Sequence, residues 1–312
     1  MNSFLNWKIN RFGTVITMDF QTSNKELQHL MDKIAKIAHE SPTYEKLAYT
    51  LEKGYKHIIF MTASEVAEQA DVSQGSVSRF CIAMGYKGYN DFLHHLQQFV
   101  RKEITAPQRL QFTSHANKNI SNILKLEHEN IDALEQLLER PEFKKMIDQI
   151  IHADQIILLS ARMSATLLSY TYYILNKIRA NVVQVTPNNP AWETLELMDP
   201  SRVHIFSFVF PRYPNRLLEK LRHLHQKGFS ISSITDSITS PVYDLADPVL
   251  SVPITTSSIF DIYSTPILFL NLLLREVATA TDGLDKRMAE LEALDKRDQI
   301  YYETYHYDAT LD

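Results

Sequence analysis

The sequence predicts two domains of different class: an all-α helix-turn-helix domain, followed by an α/β three-layer sandwich built on a parallel sheet. Three observations predict it. Apolar residues recur at helical spacing up to about Glu103, two short capped helices follow one another within residues 62–85, and after residue 153 the apolar residues gather into short continuous runs separated by helix-length segments. At 312 residues the chain suits two domains, each long enough to bury its own core.

The elements follow in order. Residues 1–22 carry no clear period and no cap, and three readings fit them: an extra strand, a disordered arm, or residues upstream of a true start at Met18. From Asn24 to His39 the residues Leu27, Leu30, Met31, Ile34, Ile37 and Ala38 define a helical face, with Ser23 or Asn24 as cap and Ser41-Pro42 as stop. A second helix is expected from about Thr43 to Glu52, then Gly54 and the apolar stretch Ile58–Met61. These elements and the motif after them make a helical domain of residues 23–105. Residues 106–119 show no period, contain Pro107 and two glutamines, and read as a linker.

The motif is TASEVAEQADVSQGSVSRFCIAMG, residues 62–85. Thr62 with Glu65 forms a capping box that starts a helix through Gln69; Ala70-Asp71-Val72 break it and Ser73 caps a second helix. Val77, Phe80, Cys81 and Met84 share one face of that helix, and Gly85 stands where a C-terminal cap belongs. The opposite face presents Gly75, Ser78, Arg79 and Ile82. A recognition helix is built this way, with an apolar face that holds it to its predecessor and small polar residues that enter the major groove. Gln74 suits adenine, Arg79 suits guanine or a phosphate, and Gly75 admits a close backbone approach. The expected contacts to double-stranded operator DNA are Thr62, Ser64, Ser73, Gln74, Gly75, Ser76, Ser78, Arg79 and Lys87.

Charge permits this. Residues 1–105 hold 12 Lys+Arg against 11 Asp+Glu, so the remainder of the chain, with 20 against 26, carries all of the net negative charge. A near-neutral DNA-binding half favours site-specific contact over general attraction to phosphate.

Beyond the linker, helices are expected at about 120–138 and 142–151. The runs QIILL (155–159), VVQV (182–185), VHIFSFV (203–209), SISSI (230–234) and Val249–Val252 then read as strands buried on both faces. Helical segments 164–178, 190–198 and 214–227 lie between them, helices 262–281 and 284–298 close the domain of residues 120–300, and 301–312 form a polar tail. Open parallel sheets of this kind bind ligands at the C-terminal ends of their strands.

The N-terminal motif resembles that of the RpiR/MurR family of bacterial regulators, whose signature runs T-x-S-E-x-A, V-S, V-x-R-F and L-G-F-x-G-F. Here it reads Thr62-Ala63-Ser64-Glu65-Val66-Ala67, Val72-Ser73, Val77-Ser78-Arg79-Phe80 and Met84-Gly85-Tyr86-Lys87-Gly88-Tyr89. The resemblance implies sequence-specific DNA binding as a homodimer or homotetramer, a C-terminal sugar-isomerase (SIS) domain, and control by a sugar phosphate or related effector. Ile234-Thr235-Asp236-Ser237, Ser240-Pro241 and Ala246-Asp247 resemble that domain's landmarks, and Ser207 resembles the serine of its S-x-S-G-x-T element.

Two departures bear on the effector. The family's G-x-G-x-S loop is Ser160-Ala161-Arg162-Met163-Ser164 here, and the S-G-x-T element becomes Val209-Phe210-Pro211-Arg212-Tyr213. Glycines in such loops let backbone N–H groups reach a phosphate. In one reading Ser160, Arg162, Ser164, Ser207, Arg212 and Thr235 still converge on an anionic metabolite, with the arginines supplying charge. In the other the domain serves dimerisation alone.

Other chemistry is weaker. Glu193, Glu196 or His204 are the candidate bases for isomerisation, but the glutamates read as an exposed helix face and His204 as a strand residue. His94-His95 and His223-x-His225 lack the spacing of a helical zinc site. One cysteine, Cys81, excludes a disulfide framework and reads as a core residue. No cofactor and no metal is expected. No apolar run approaches a membrane span, and Lys8, Asn10, Arg11 and Asp19 interrupt any signal-peptide core, so the expected compartment is the cytoplasm.

Overall fold

In a computed structural model, residues 18–100, 104, 107, 108, 110, 120–255 and 260–301 are described. The chain divides into two compact units, Met1–Lys118 and Asn119–Asp312. Residues 1–17 and 302–312, and most of the expected linker, lie outside the described residues.

The first unit is helical: α1 Met18–Ala38, α2 Pro42–Ile58, α3 Ala63–Gln69, α4 Gln74–Ala83 and α5 Tyr89–Val100. Helix α1 starts earlier than its apolar pattern, so Ser23 and Asn24 are interior residues and not caps. No glycine or proline between Gly13 and Pro42 interrupts the helix as it extends upstream. Ser41 accepts the Tyr44 amide at 3.2 Å and Pro42 fills the first turn, so this pair starts α2 as well as ending α1. Helix α2 also outruns its expected end. It passes through Gly54 because Leu47, Leu51 and Ile58 continue one buried face. A Cβ at Gly54 would stand at an ordinary contact distance, 3.8 Å, from the Gln69 side chain of α3.

Residues from all five helices form one core around Phe60, Phe80 and Phe92. The stretch between α2 and α3 is buried, and α5 satisfies its carbonyls: Tyr89 donates to Met61 O at 2.7 Å and Gln97 to Ile59 O at 3.0 Å. Buried polar groups of this kind are costly unless paired.

The second unit opens with α6 Ile120–Leu138 and α7 Pro141–His152. It continues as β1 Gln155–Ser160, α8 Thr166–Ile178, β2 Val182–Val185, α9 Ala191–Thr194, β3 Val203–Val209, α10 Asn215–Gln226, β4 Ser230–Thr235, β5 Val249–Ser251, α11 Ser264–Thr279 and α12 Leu284–Arg297. The five strands are parallel in the order β2-β1-β3-β4-β5. Strand residues alternate between two cores. Ile156, Leu158, Phe206 and Phe208 join α7, α8 and α11 on one face, whereas Ile157, Leu159, Ile205 and Val209 join Trp192 and α10 on the other. That is the expected three-layer sandwich. Arginines finish two helices: Arg179 donates to the carbonyls of Ile151 (3.2 Å) in the last turn of α7 and Asp154 (3.3 Å) just after it, and Arg287 to Asn176 (2.7 Å) and Lys177 (2.9 Å) at the end of α8. Among the described residues, no helix is long and apolar enough to cross a membrane.

Candidate functional site

The first candidate site is the α3–α4 pair. Thr62 donates its amide to Glu65 Oε2 at 2.6 Å, and Thr62 Oγ1 accepts the Glu65 amide at 3.3 Å, so the capping box forms in both directions. The turn that follows places Asp71 at φ +52, and Lys46 of α2 donates to its carboxylate at 2.8 Å and its carbonyl at 3.3 Å. That bond, with the charge of Lys46, holds the exposed Asp71 carboxyl below its ordinary range. Ser73 caps α4 by accepting the Ser76 amide at 3.2 Å. Gly85 follows the helix at φ +92, a conformation that side chains rarely adopt.

Val77, Phe80, Cys81 and Met84 are buried, and the Phe80 ring meets Tyr44 of α2 edge-on at 5.1 Å. Burial, with the Asp91 carboxylate adding to it, pushes the Cys81 thiol up to about 12, so it is an inert core residue. Gln74, Gly75, Arg79 and Ile82 are exposed, and Ser78 is half-buried. Ser64, Ser73 and Lys87 are exposed too, Thr62 is half-buried, and the Lys87 amide donates to Asp91 at 2.9 Å. Ser76 differs from the other expected contacts. It is 8% exposed and bonded to Ser73 and Arg79.

The second candidate site lies at the C-terminal edge of the sheet. From β1 the chain adds β2 on one side and then β3, β4 and β5 on the other, so the topological switch falls between β1 and β3. Arg162 and Arg212 follow these two strands, and both are exposed. Arg162 holds φ +62 although it is not glycine. The short polar residues behave differently. Ser160 donates to Phe208 O at 2.7 Å, Ser207 to Ser232 O at 3.3 Å, and Thr235 to Val209 O at 2.6 Å; all three are fully buried. Ser164, also buried, donates to Ala161 O at 3.1 Å. The site thus brings two arginines to one edge and turns the hydroxyls inward.

Three polar features had no separate signal in the sequence. Tyr213 donates to Asp236 at 2.8 Å, tying the segment after β3 to the one after β4. Buried Glu127 of α6 accepts from Ser264 and, at 3.4 Å, from Thr265 at the start of α11. Asn130, one turn further along α6, donates to Thr255 at 2.8 Å.

Two of the three candidate bases are engaged elsewhere. His204 is buried, with ring nitrogens 2.9 Å from Ser230 Oγ and 2.7 Å from Ser232 Oγ, and burial, reinforced by the charge of Arg179, lowers its pKa to about 3. Glu196 is only part-exposed and pairs with Lys220 at 2.5 Å, in place of the open helix face expected of it; that bond holds its carboxyl below its ordinary range. Glu193 is exposed. Among the described residues, no group of three His, Cys, Asp or Glu is placed to hold a metal ion.

Comparison with known proteins places both units. The helix-turn-helix domain of the rpiR family matches residues 28–103, and the SIS domain matches residues 149–275. The chain belongs to the RpiR family of transcriptional regulators. No curated protein sequence matches this RpiR-family chain. Among solved structures, the Vibrio vulnificus NanR protein complexed with ManNAc-6P is similar over 86% of this chain and 98% of its own, at 14% identity and a TM-score of 0.53. At that identity the likeness is one of fold. The sugar isomerase domain of the RpiR transcription factor from Sphaerobacter thermophilus covers 55% of this chain and 97% of its own length, at 22% identity and a TM-score of 0.49.

Proposed function

We propose that this RpiR-family chain reads double-stranded operator DNA with α4 and binds a phosphorylated sugar at the switch point between β1 and β3. On this reading it acts in the cytoplasm as a homodimer or homotetramer, with no cofactor, metal or membrane partner. One observation carries it: α4 exposes Gln74, Gly75 and Arg79 at its N-terminal end while Val77, Phe80 and Cys81 fix its other face in the core. Two copies place two such helices on one duplex, and an effector that prefers one arrangement of the copies changes operator affinity.

The effector half is supported by Arg162 and Arg212 at the switch point, where side-chain charge stands in for the family's glycine-lined backbone cradle. ManNAc-6P in the NanR structure supports a sugar phosphate as its class. A regulator is favoured over an isomerase because His204 and Glu196 are bonded away from the strand ends. A second reading, a ligandless oligomerising domain, is favoured by the inward hydroxyls of Ser160, Ser207 and Thr235. A thermal-shift panel of sugar phosphates separates the two, since a bound effector raises the transition.

The DNA half is tested by fluorescence anisotropy of the full chain on duplexes covering the region upstream of its own gene. Arg79→Ala is expected to weaken binding by about five- to a hundredfold, from the roughly 1–3 kcal/mol of one arginine–base pairing. Equal affinity in the two proteins would refute the assignment of α4.

A further inference from the structure

We propose that Ser76 is a positioning residue for operator recognition: with Ser73 it fixes the Arg79 guanidinium across the first turn of α4, so base-pair choice depends on a hydroxyl that does not itself touch DNA. The inference rests on the DNA-reading role proposed for α4, and it redirects Ser76 from the contact that the sequence suggests.

Arg79 Nη2 donates to Ser76 Oγ at 3.1 Å, since a guanidinium has no acceptor. Ser76 Oγ also lies 2.8 Å from Ser73 Oγ, a bond in which either hydroxyl can donate, and Ser73 Oγ accepts the Ser76 amide at 3.2 Å. Cap, hydroxyl and guanidinium thus form one chain that begins at the backbone of the helix. With only 8% of its surface exposed, Ser76 has its hydroxyl spent within this chain.

The guanidinium packs over residue 75: a Cβ there would stand 3.5 Å from Arg79 Nη1, an ordinary contact distance. The side chain points back over its own N-terminal turn, the ordinary direction on a helix, to reach Ser76 and Gly75. Arg79 also has somewhere else to go. A groove of about 370 Å³ beside it is lined by Glu40, Ser41, Thr43, Tyr44, Ser76 and Arg79 itself. Released from Ser76, the guanidinium gains that space and a carboxylate, Glu40, that attracts its charge. Bidentate pairing with a base needs the planar fork held in one orientation, whereas attraction to phosphate needs only the charge. Loss of the Ser76 hydroxyl therefore separates the two.

The experiment uses the full-length protein and a duplex library with a randomised core to select a preferred site. Anisotropy then gives Kd for the selected duplex and for a scrambled duplex of the same composition, at several salt concentrations. In Ser76→Ala the ratio of the two Kd values is expected to fall about three- to tenfold, the span of one hydrogen bond. The scrambled-duplex Kd and its salt slope stay unchanged, because no phosphate contact is lost. Ser76→Thr keeps the hydroxyl and restores the ratio. An unchanged ratio in Ser76→Ala overturns the inference, and so does an equal loss on both duplexes, which marks a purely structural cap. A wild-type protein that selects no sequence overturns the DNA-reading role itself, and the inference falls with it.

Discussion

Arg162→Gly should make the second unit more stable and its effector binding weaker. Arg162 holds φ +62 in the segment after β1, where an L side chain crowds the following carbonyl at a cost of about 1–2 kcal/mol. Glycine removes that strain but loses more chain entropy on folding, about 0.5–1 kcal/mol. Because Arg162 is exposed, little packing is lost with it. The difference leaves the variant about 0.5–1 kcal/mol more stable, a rise of roughly 2 °C in the transition of a unit of this size. Binding moves the other way. A charge-assisted hydrogen bond contributes about 1.5–3 kcal/mol, so sugar-phosphate affinity should fall about ten- to a hundredfold. Scanning calorimetry of the full chain reads the first effect and titration calorimetry with a sugar phosphate reads the second. A lower transition temperature with unchanged affinity would refute both the strain and the role assigned to the charge. Strain kept by selection belongs at sites where it serves function, which is why opposite signs are the discriminating result.

Two further outcomes follow from single side chains. The unfolded chain protonates His204 near its ordinary value of 6.5, whereas burial, then the charge of Arg179, holds the folded value at about 3. Its contribution is complete above the unfolded value and is lost as pH falls between the two, by about 1.4 kcal/mol per unit, or about 2 kcal/mol at pH 5. Urea unfolding at pH 7, 6 and 5 measures this; His204→Asn should flatten the slope, and an unchanged slope would assign the acid sensitivity to other groups. Thr62→Ala removes the side-chain half of the capping box, leaving the residue 62 amide to donate to Glu65, and should cost about 1 kcal/mol, or about 5 °C in the first unit's transition. The exposed Ser64→Ala, measured in the same scan, should stay within about 0.5 kcal/mol.

Much of the fold was legible because its causes are local. The capping box at Thr62 and Glu65, the cap at Ser73 and the left-handed Gly85 each join residues a few positions apart. The strands were legible as runs because helices cover both faces of the sheet, so no polar alternation interrupts them. Helix ends were harder to read. The pattern that marks α1 begins after the helix does, and Gly54 reads as a stop until Ile58 shows that the buried face continues beyond it.

The candidate sites were less legible because direction is a tertiary property. Ser160, Ser207 and Thr235 stand out as polar residues in apolar runs, but where their hydroxyls point depends on register. Ser160 lies opposite Phe208 and reaches its carbonyl, and Thr235 lies opposite Val209 and does the same. Ser76 had a signal that went unused. It precedes Phe80 by four residues and Arg79 by three, which places it between the buried face and the guanidinium. Nothing in the residue type at 162 announces a positive φ, since arginine seldom adopts one.

On the proposed reading, both units solve one problem in the same way. A chain with seven glycines has few places where bare backbone can approach an anion, so recognition passes to arginines. A long cation is indiscriminate unless something fixes its direction, because its charge attracts any phosphate while its fork recognises only one geometry. In the first unit a hydroxyl supplies that direction, through Ser76. In the second the backbone supplies it, through the left-handed turn at Arg162 that keeps the path a glycine would take while carrying a charge that glycine lacks. The second device costs conformational energy that the first does not, so strain should be found at 162 and not at 79, where Arg79 sits within a regular helix.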